Sequence, residues 1–496
     1  MSVDSTKKFR PNLLELERRE VPAVSSVRLA GGVLTVRADN TPTTAIVIET
    51  GNSVLVRDIL LNRSWSFSSQ QIRRIDVFGG NGNDNLTART NTILARLVGG
   101  NGDDLLLGGN NGDILYGGNG NDTIRGGGGD DFCYGGNGND WLYGDNGNDY
   151  LEGGQGDDQL NGGAGINGLY GGAGKDTLIT LNGQGGDLLD GGDAVDTFWM
   201  DPDDRLISPL NDVIHRISSF SNTGADLTLD GDRIPDPTPL PGDQLEEMVG
   251  RPLFSSQGPS YLDISQGQLG DCWLLAGFGA IAKANPDLIR QHVVDFGDGT
   301  YGVSLGDNFY RVDNDLPVAH VGNTWLQYTA FGREGSIWVA ILEKAYTHYR
   351  FGQPTYGNPN GPDTYGLIEG GYTYDVFPAF GLDPQRVWFN PSTSLNLMSN
   401  TIRLMIDQQT AATIGFDFVP SGSGIPIIQA HQYILLGYTL GSNGLVNTIT
   451  LRNPWGYDGP GSAPGPGNDP NFNDGIVTIT LDQLAQTYGS FEWAHV

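Results

Sequence analysis

The hydrophobic pattern changes period several times along the chain, and each change marks a different kind of element. In residues 25–78 apolar and polar positions alternate, so VRLAGGVLTVRA reads as a hairpin around Gly31 and Gly32, with TAIVIE, SVLVRDI and IRRIDVF as further strands. From residue 79 to 199 the spacing becomes nine. The unit is GGxGxDxUx, with U apolar: nine copies run unbroken over 99–179, one precedes them at 79–87, and two degenerate ones cover 182–199. U is apolar in all twelve: Leu86, Leu106, Leu115, Ile124, Cys133, Leu142, Leu151, Leu160, Leu169, Leu178, Leu189 and Phe198. One inward side chain per short strand, with glycines turning the chain between strands, predicts a parallel β-roll in which two nonapeptides make one turn.

Beyond the repeats the text turns polar. Residues 200–239 read as a cap, in which LISPLNDVIHRI covers the last layer of the roll, followed by a linker that is semi-stiff where prolines cluster at 235–241. His215 lies in the cap with no partner legible in the sequence. From residue 240 a helical period sets in. Trp273, Leu274, Leu275, Ala276, Phe278, Ala280 and Ile281 lead to Asn285 and Pro286, where proline ends one helix and can start a second. In EGSIWVAILEKAYTHYR, Trp338, Ile341, Leu342 and Ala345 share one helical face. ATIGFDFV and IIQAHQYILLGYTL alternate as paired strands. Residues 240–496 are therefore an α+β region of two lobes, about 240–370 and 371–496, and the chain as a whole is multidomain.

Composition sharpens this picture. The 496 residues carry 58 Asp and Glu against 28 Lys and Arg, a formal net charge of -30, which argues against a nucleic-acid partner. Within 79–199 stand 18 acidic residues and four basic ones. Asp fills the sixth repeat position at Asp84, Asp104, Asp113, Asp122, Asp131, Asp140, Asp149, Asp158, Asp176, Asp187 and Asp196, with Asn167 the exception. Glycine carbonyls turned inward and a hard anionic oxygen at every turn suit Ca²⁺, whose binding energy would then be folding energy. The region resembles the RTX class of calcium-binding repeats. Cys133 sits at an inward U position and is expected to pack in the core, unrelated to Cys272. No run of 18 apolar residues exists, so no membrane span is expected. Residues 1–24 read as a leader or disordered segment; LLELERREVPAV resembles a leader found ahead of repeat-bearing extracellular bacterial proteins but lacks the apolar core of a secretory signal. Extracellular placement is expected, with the export route open.

The candidate chemistry lies in SQGQLGDCWLL, where Cys272 opens the first helix of the 240–370 lobe. A helix N-terminus favours the thiolate, and Gln266, six residues earlier, can offer a side-chain N–H to an oxyanion beside the N–H of Cys272. Such a nucleophile needs a base and an orienting group, which His431 and Asn453 can supply, with Trp455 covering their hydrogen bond. His320 and His348 are rival bases that lack an asparagine in an orienting context. QGQLGDCWLLA, AHQYILLGY and RNPWG resemble the three catalytic blocks of the calpain-type, papain-like cysteine proteases, and SIWVAILEKAYTHY and IEGGYTYDVF resemble further segments of that family. The resemblance spans 240–496 and implies Cys272 as nucleophile, His431 as base and acid, Asn453 as its orienter, Gln266 in the oxyanion hole, and protein or peptide substrates. Members often bind calcium in the core as well; Asp458, Asp469 and Asp474 align to no such site, and that question stays open. Two other readings stand beside an endopeptidase: a structural or adhesive calcium-binding protein with an inactive protease-like domain, and an acyl transferase, whose usual Asp partner is here Asn453.

Overall fold

In the repeats the chain reverses at glycines with positive φ, for instance Gly100 (124°), Gly118 (124°) and Gly136 (122°), a region that a side chain strongly disfavours. The computed structural model describes residues 24–38, 41–207, 211–220, 237–266, 269–318, 326, 328–329, 331–353, 364–455 and 475–496. It divides into two units, Met1–Ile217 and Ser218–Val496.

The first unit is a parallel β-solenoid. Strands one full turn apart pair in register: Leu115 with Cys133 and Cys133 with Leu151 in one sheet, Ile124 with Leu142 and Leu142 with Leu160 in the other. One sheet has ten strands and the other eleven. The U side chains stack between them as a fully buried column, Cys133 among them. The strands before the repeats begin both sheets, Val33–Ala38 pairing parallel with Arg74–Asn81, and Thr44–Thr50 with Asn85–Arg89.

The segment after the repeats differs from expectation. Arg205–Leu206 and Val213–Arg216 do not lie across the last layer; they add another parallel strand to each sheet. The reason is that Asp204 and Asp212 accept the backbone N–H groups of Asp187 and Asp196, continuing the repeat's ladder although its glycine signature has ended. His215 finds its partner here, its ring 4.6 Å from that of Trp199.

The second unit packs around two buried clusters. In the first, helix α1 (Cys272–Ala284) is buried from Trp273 to Ala282. Pro286 opens helix α2 (Pro286–His292), and helix α3 (Trp338–Phe351) packs beside a three-stranded antiparallel sheet. In the other, six antiparallel strands run in the order Pro384–Phe389, Tyr488–Ala494, Ala411–Phe418, His431–Leu440, Val446–Arg452, Ile476–Thr480, with helix α4 (Leu395–Asp407) against them. Helix α1 lies directly on Ala411–Phe418 and His431–Leu440. Gly279 permits this approach: a Cβ there would stand 2.3 Å from Cδ1 of Ile434. Helix α1, which begins at Cys272, thus packs on the strand that begins at His431.

Candidate functional site

Cys272 is the first residue of α1 and is partly exposed. Its sulfur lies at the helix N-terminus, where the backbone N–H groups of Trp273 and of Gln432, in the His431–Leu440 strand, favour the thiolate. Burial nevertheless pushes the thiol up to about 11, and the Asp271 charge beside it pushes in the same direction. The expected lowering by the helix end is real but smaller than the cost of taking a thiolate out of water.

His431 is 5% exposed and Asn453 fully buried, with His431 Nε2 2.8 Å from Asn453 Oδ1. The same oxygen accepts the backbone N–H of Trp455 at 3.0 Å. An oxygen that already accepts one N–H fixes the neutral imidazole as the Nε2–H tautomer, which leaves the Nδ1 lone pair as the basic site. The Trp455 ring lies over the imidazole, centroids 4.7 Å apart. Burial holds His431 down at about 4, against the opposing pull of Asn453. Burial thus moves both groups towards their neutral forms, the thiol upward and the imidazole downward.

Gln266 is tied to this loop by its backbone N–H, which donates to Pro454 O at 2.7 Å. Its side-chain Nε2 donates to the carbonyl of Leu269, so the amide is engaged within its own loop. His348 packs in α3 against Tyr310, ring centroids 6.3 Å apart. His320, Asp458, Asp469, Asp474 and the 1–23 segment lie outside the described residues.

Sequence reasoning missed a second pair. Asp271 and Glu343 are buried together directly behind Cys272, at 0% and 2% exposure. Burial pushes both carboxyls up, Glu343 further because the Asp271 charge faces it. Neither oxygen of Asp271, nor Oε1 of Glu343, has a hydrogen-bond donor among the described residues. Lys344, the nearest cation in sequence, is paired with Asp313 instead. The Gln266 side chain and the Asp271 N–H pull the Asp271 carboxyl the other way, but less than burial raises it. The only signal in the sequence was an acid at an otherwise apolar helix position.

Along the solenoid each repeat Asp does two jobs. Its Oδ1 accepts the backbone N–H of the Asp one turn earlier: Asp104 donates to Asp122 (2.8 Å), Asp122 to Asp140 (2.7 Å) and Asp140 to Asp158 (2.7 Å) along one edge, and Asp131 to Asp149 (2.8 Å) along the other. The other oxygen, Oδ2, has no hydrogen-bond donor at Asp104, Asp122, Asp131, Asp140, Asp149, Asp158, Asp176 and Asp196. Asp113 differs, its Oδ2 taking the N–H of Gly109 at 2.7 Å. At Gly117 a Cβ would meet Asp122 Oδ2 at 2.2 Å and the Gly135 carbonyl at 2.7 Å; at Gly135 it would meet Asp140 Oδ2 at 2.3 Å and the Gly153 carbonyl at 2.6 Å. Carboxylate and carbonyl oxygens of successive turns thus converge. Burial, with neighbouring carboxylates adding to it, pushes Asp131 and Asp158 up to about 8. Stacked, desolvated oxygens with no proton donor are the donor set a hard divalent cation accepts. No three His, Cys, Asp or Glu side chains cluster as a metal site among the described residues; the donors here are single carboxylates joined by backbone carbonyls.

Comparison with known proteins bears on both units. The profile of the calpain family cysteine protease matches residues 241–462, and that of the RTX calcium-binding nonapeptide repeat matches overlapping stretches between residues 98 and 185. The chain is 28% identical to the calpain-1 catalytic subunit of Bos taurus over 225 residues, 42% of this chain and 29% of that protein. It is 28% identical to the Mus musculus calpain-1 catalytic subunit over 231 residues (44% and 31%), and 27% identical to calpain-12 of Homo sapiens over 228 residues (42% and 29%). It spans about three tenths of the length of these curated relatives. Residues 241–462 are a calpain-type cysteine protease region, carried in one chain with a preceding run of RTX calcium-binding repeats.

Proposed function

We propose that the chain is a calcium-stabilised cysteine endopeptidase acting outside the cell on proteins or peptides. The observation that carries this reading is the His431–Asn453 hydrogen bond, with its acceptor fixed by Trp455 N–H, beside a helix-terminal cysteine. Nδ1 of His431 takes the Cys272 proton as the sulfur attacks a carbonyl, and returns it to the leaving amine. Asn453 keeps the ring oriented and the tautomer correct. The N–H of Cys272, at the open end of α1, receives the developing oxyanion; Gln266 joins it once its amide leaves Leu269. The shift of Cys272 and His431 towards their neutral forms means that proton transfer accompanies substrate binding, which displaces water and brings a new dipole to the sulfur.

In the solenoid the repeat aspartates and inward carbonyls hold Ca²⁺, which would neutralise the stacked carboxylates and join each turn to the next. Sites of single carboxylates plus carbonyls suit a calcium-rich compartment, hence the extracellular placement.

The test is hydrolysis of unfolded casein in saturating calcium, together with labelling by an epoxysuccinyl thiol reagent read by mass spectrometry. Cys272→Ala should lose both, with an unchanged melting temperature; hydrolysis that survives in this variant overturns the proposal. The same shift favours one alternative, a structural or adhesive calcium-binding protein whose protease-like unit is silent. Absence of both cleavage and labelling in the wild-type protein would select it.

A further inference from the structure

The two edges of the solenoid are not equivalent. Along one, Asp104, Asp122, Asp140, Asp158, Asp176 and Asp196 form an uninterrupted column whose Oδ2 atoms lack a donor. Along the other, Asp131 and Asp149 share that state, and the column then meets Asn167 and Asp187. Asn167 keeps the ladder bond, its Oδ1 accepting Asp149 N–H at 2.9 Å, but turns its Nδ2 to where the aspartates turn Oδ2: a Cβ on Gly162 would meet it at 2.7 Å.

Asn182 completes the change. It stands at the first position of its nonapeptide, where other copies have glycine because a Cβ would collide with the repeat's own carboxylate. Its Nδ2 lies 3.0 Å from Gly163 O, 3.0 Å from Gly165 O and 3.3 Å from Asp187 Oδ2. All three neighbours are acceptors, and Asn182 Oδ1 accepts Gln184 N–H at 2.8 Å, so the orientation of the amide is determined. Two carbonyls and a carboxylate from successive turns are the donor set that elsewhere lacks a proton donor; here an NH₂ group stands among them. The next rung is closed too. Asp204 Oδ2 accepts Thr180 Oγ1 at 2.8 Å and Asp201 N–H at 2.9 Å, and its Oδ1 accepts Asp187 N–H at 3.0 Å.

We propose that the Asn182 side-chain amide takes the place of a calcium ion on this edge, so that Asp187 binds no calcium and this edge of the last turns is held by protein donors. The inference rests on the calcium reading of the repeats. A cation at this point would face the Asn167 and Asn182 NH₂ groups, both positive ends of dipoles, while the amide already supplies the attraction the three oxygens require. The Asp187 edge then keeps its hydrogen bonds without calcium, while Asp176 and Asp196 on the opposite edge of the same turns still need the ion.

Two measurements on the full chain test this. Calcium bound per chain, by equilibrium dialysis and elemental analysis, should fall by at least one ion in Asp131→Asn and stay at the wild-type value in Asp187→Asn; a fall in Asp187→Asn overturns the proposal. If wild-type protein binds no calcium, or Asp131→Asn loses none, the calcium reading itself fails, a result distinct from the first. In hydrogen exchange in excess EGTA, backbone amides of residues 183–190 should remain protected while those of 117–158 exchange. Asn182→Asp puts a fourth oxygen among three, so protection of 183–190 should become calcium-dependent; protection that survives EGTA in this variant also overturns the proposal.

Discussion

Asp271 and Glu343 set the electrostatic background of the candidate nucleophile. Burial raises both carboxyls and each acts on the other, so removing one member leaves the other buried without its partner. Glu343→Ala should therefore destabilise the second unit by about 3 kcal/mol, in the range for breaking a buried ionisable pair, whereas Glu343→Gln, which supplies an N–H₂ donor to Asp271, should cost less than half of that. Urea unfolding followed by tryptophan fluorescence would measure both; equal losses would mean that the two carboxyls do not act on each other. The pair at the site itself has a pH signature. His431 is held near 4 in the folded chain and titrates near 6.5 when unfolded, so the unfolded state gains the proton first and stability falls as pH drops from about 6.5 towards 4. Cys272 is raised from 9 to about 11, so the unfolded state loses its proton first and stability falls as pH rises from about 9 towards 11. A melting-temperature series should show His431→Gln flattening the acid limb and Cys272→Ser the alkaline one. Cys272, His431 and Asn453 were legible because each stands in a distinctive local text. The direction of the thiol's shift was not, since burial depends on helix α1 being covered by a sheet more than a hundred residues away in sequence.

At the scale of elements, each nonapeptide strand sends its U side chain into the column between the sheets. Leu142 stacks between Ile124 and Leu160 at 0% exposure and adds this apolar contact to the backbone and Asp140 hydrogen bonds of its turn. Leu142→Ala should cost about 2–5 kcal/mol in saturating calcium, read by chemical denaturation of the β signal; a smaller cost would mean that calcium, and not the column, sets the strand's stability. The strand register was readable from the sequence because a one-residue slip would expose every U side chain. The carboxylate's second role, closing the ladder with Oδ1, was not readable. Nothing in a spacing of nine says which backbone N–H lies beneath each aspartate, and this is why Asp204 and Asp212 extend the roll after the repeat text has ended.

At the scale of the whole molecule, a solenoid with RTX-type repeats and a calpain-type region share one chain, and on the proposed reading only the first depends on calcium for its fold. Chelation should remove most of the β circular dichroism of the repeats while leaving the tryptophan-reported unfolding of the second unit intact; a single cooperative loss of both would contradict this separation. The sequence by itself determined the parallel roll, its apolar column, the calcium-type donor set, and the α+β region with its cysteine, histidine and asparagine, because these depend on local period and on residue type. Tertiary structure alone decided which charges face one another. Only folding set Glu343 against Asp271, brought Asn182 to the Gly163 and Gly165 carbonyls of the preceding turn, and buried His431 under Trp455. Burial and the action of one charge on another arise between groups distant along the chain, and a linear pattern carries no distance between them.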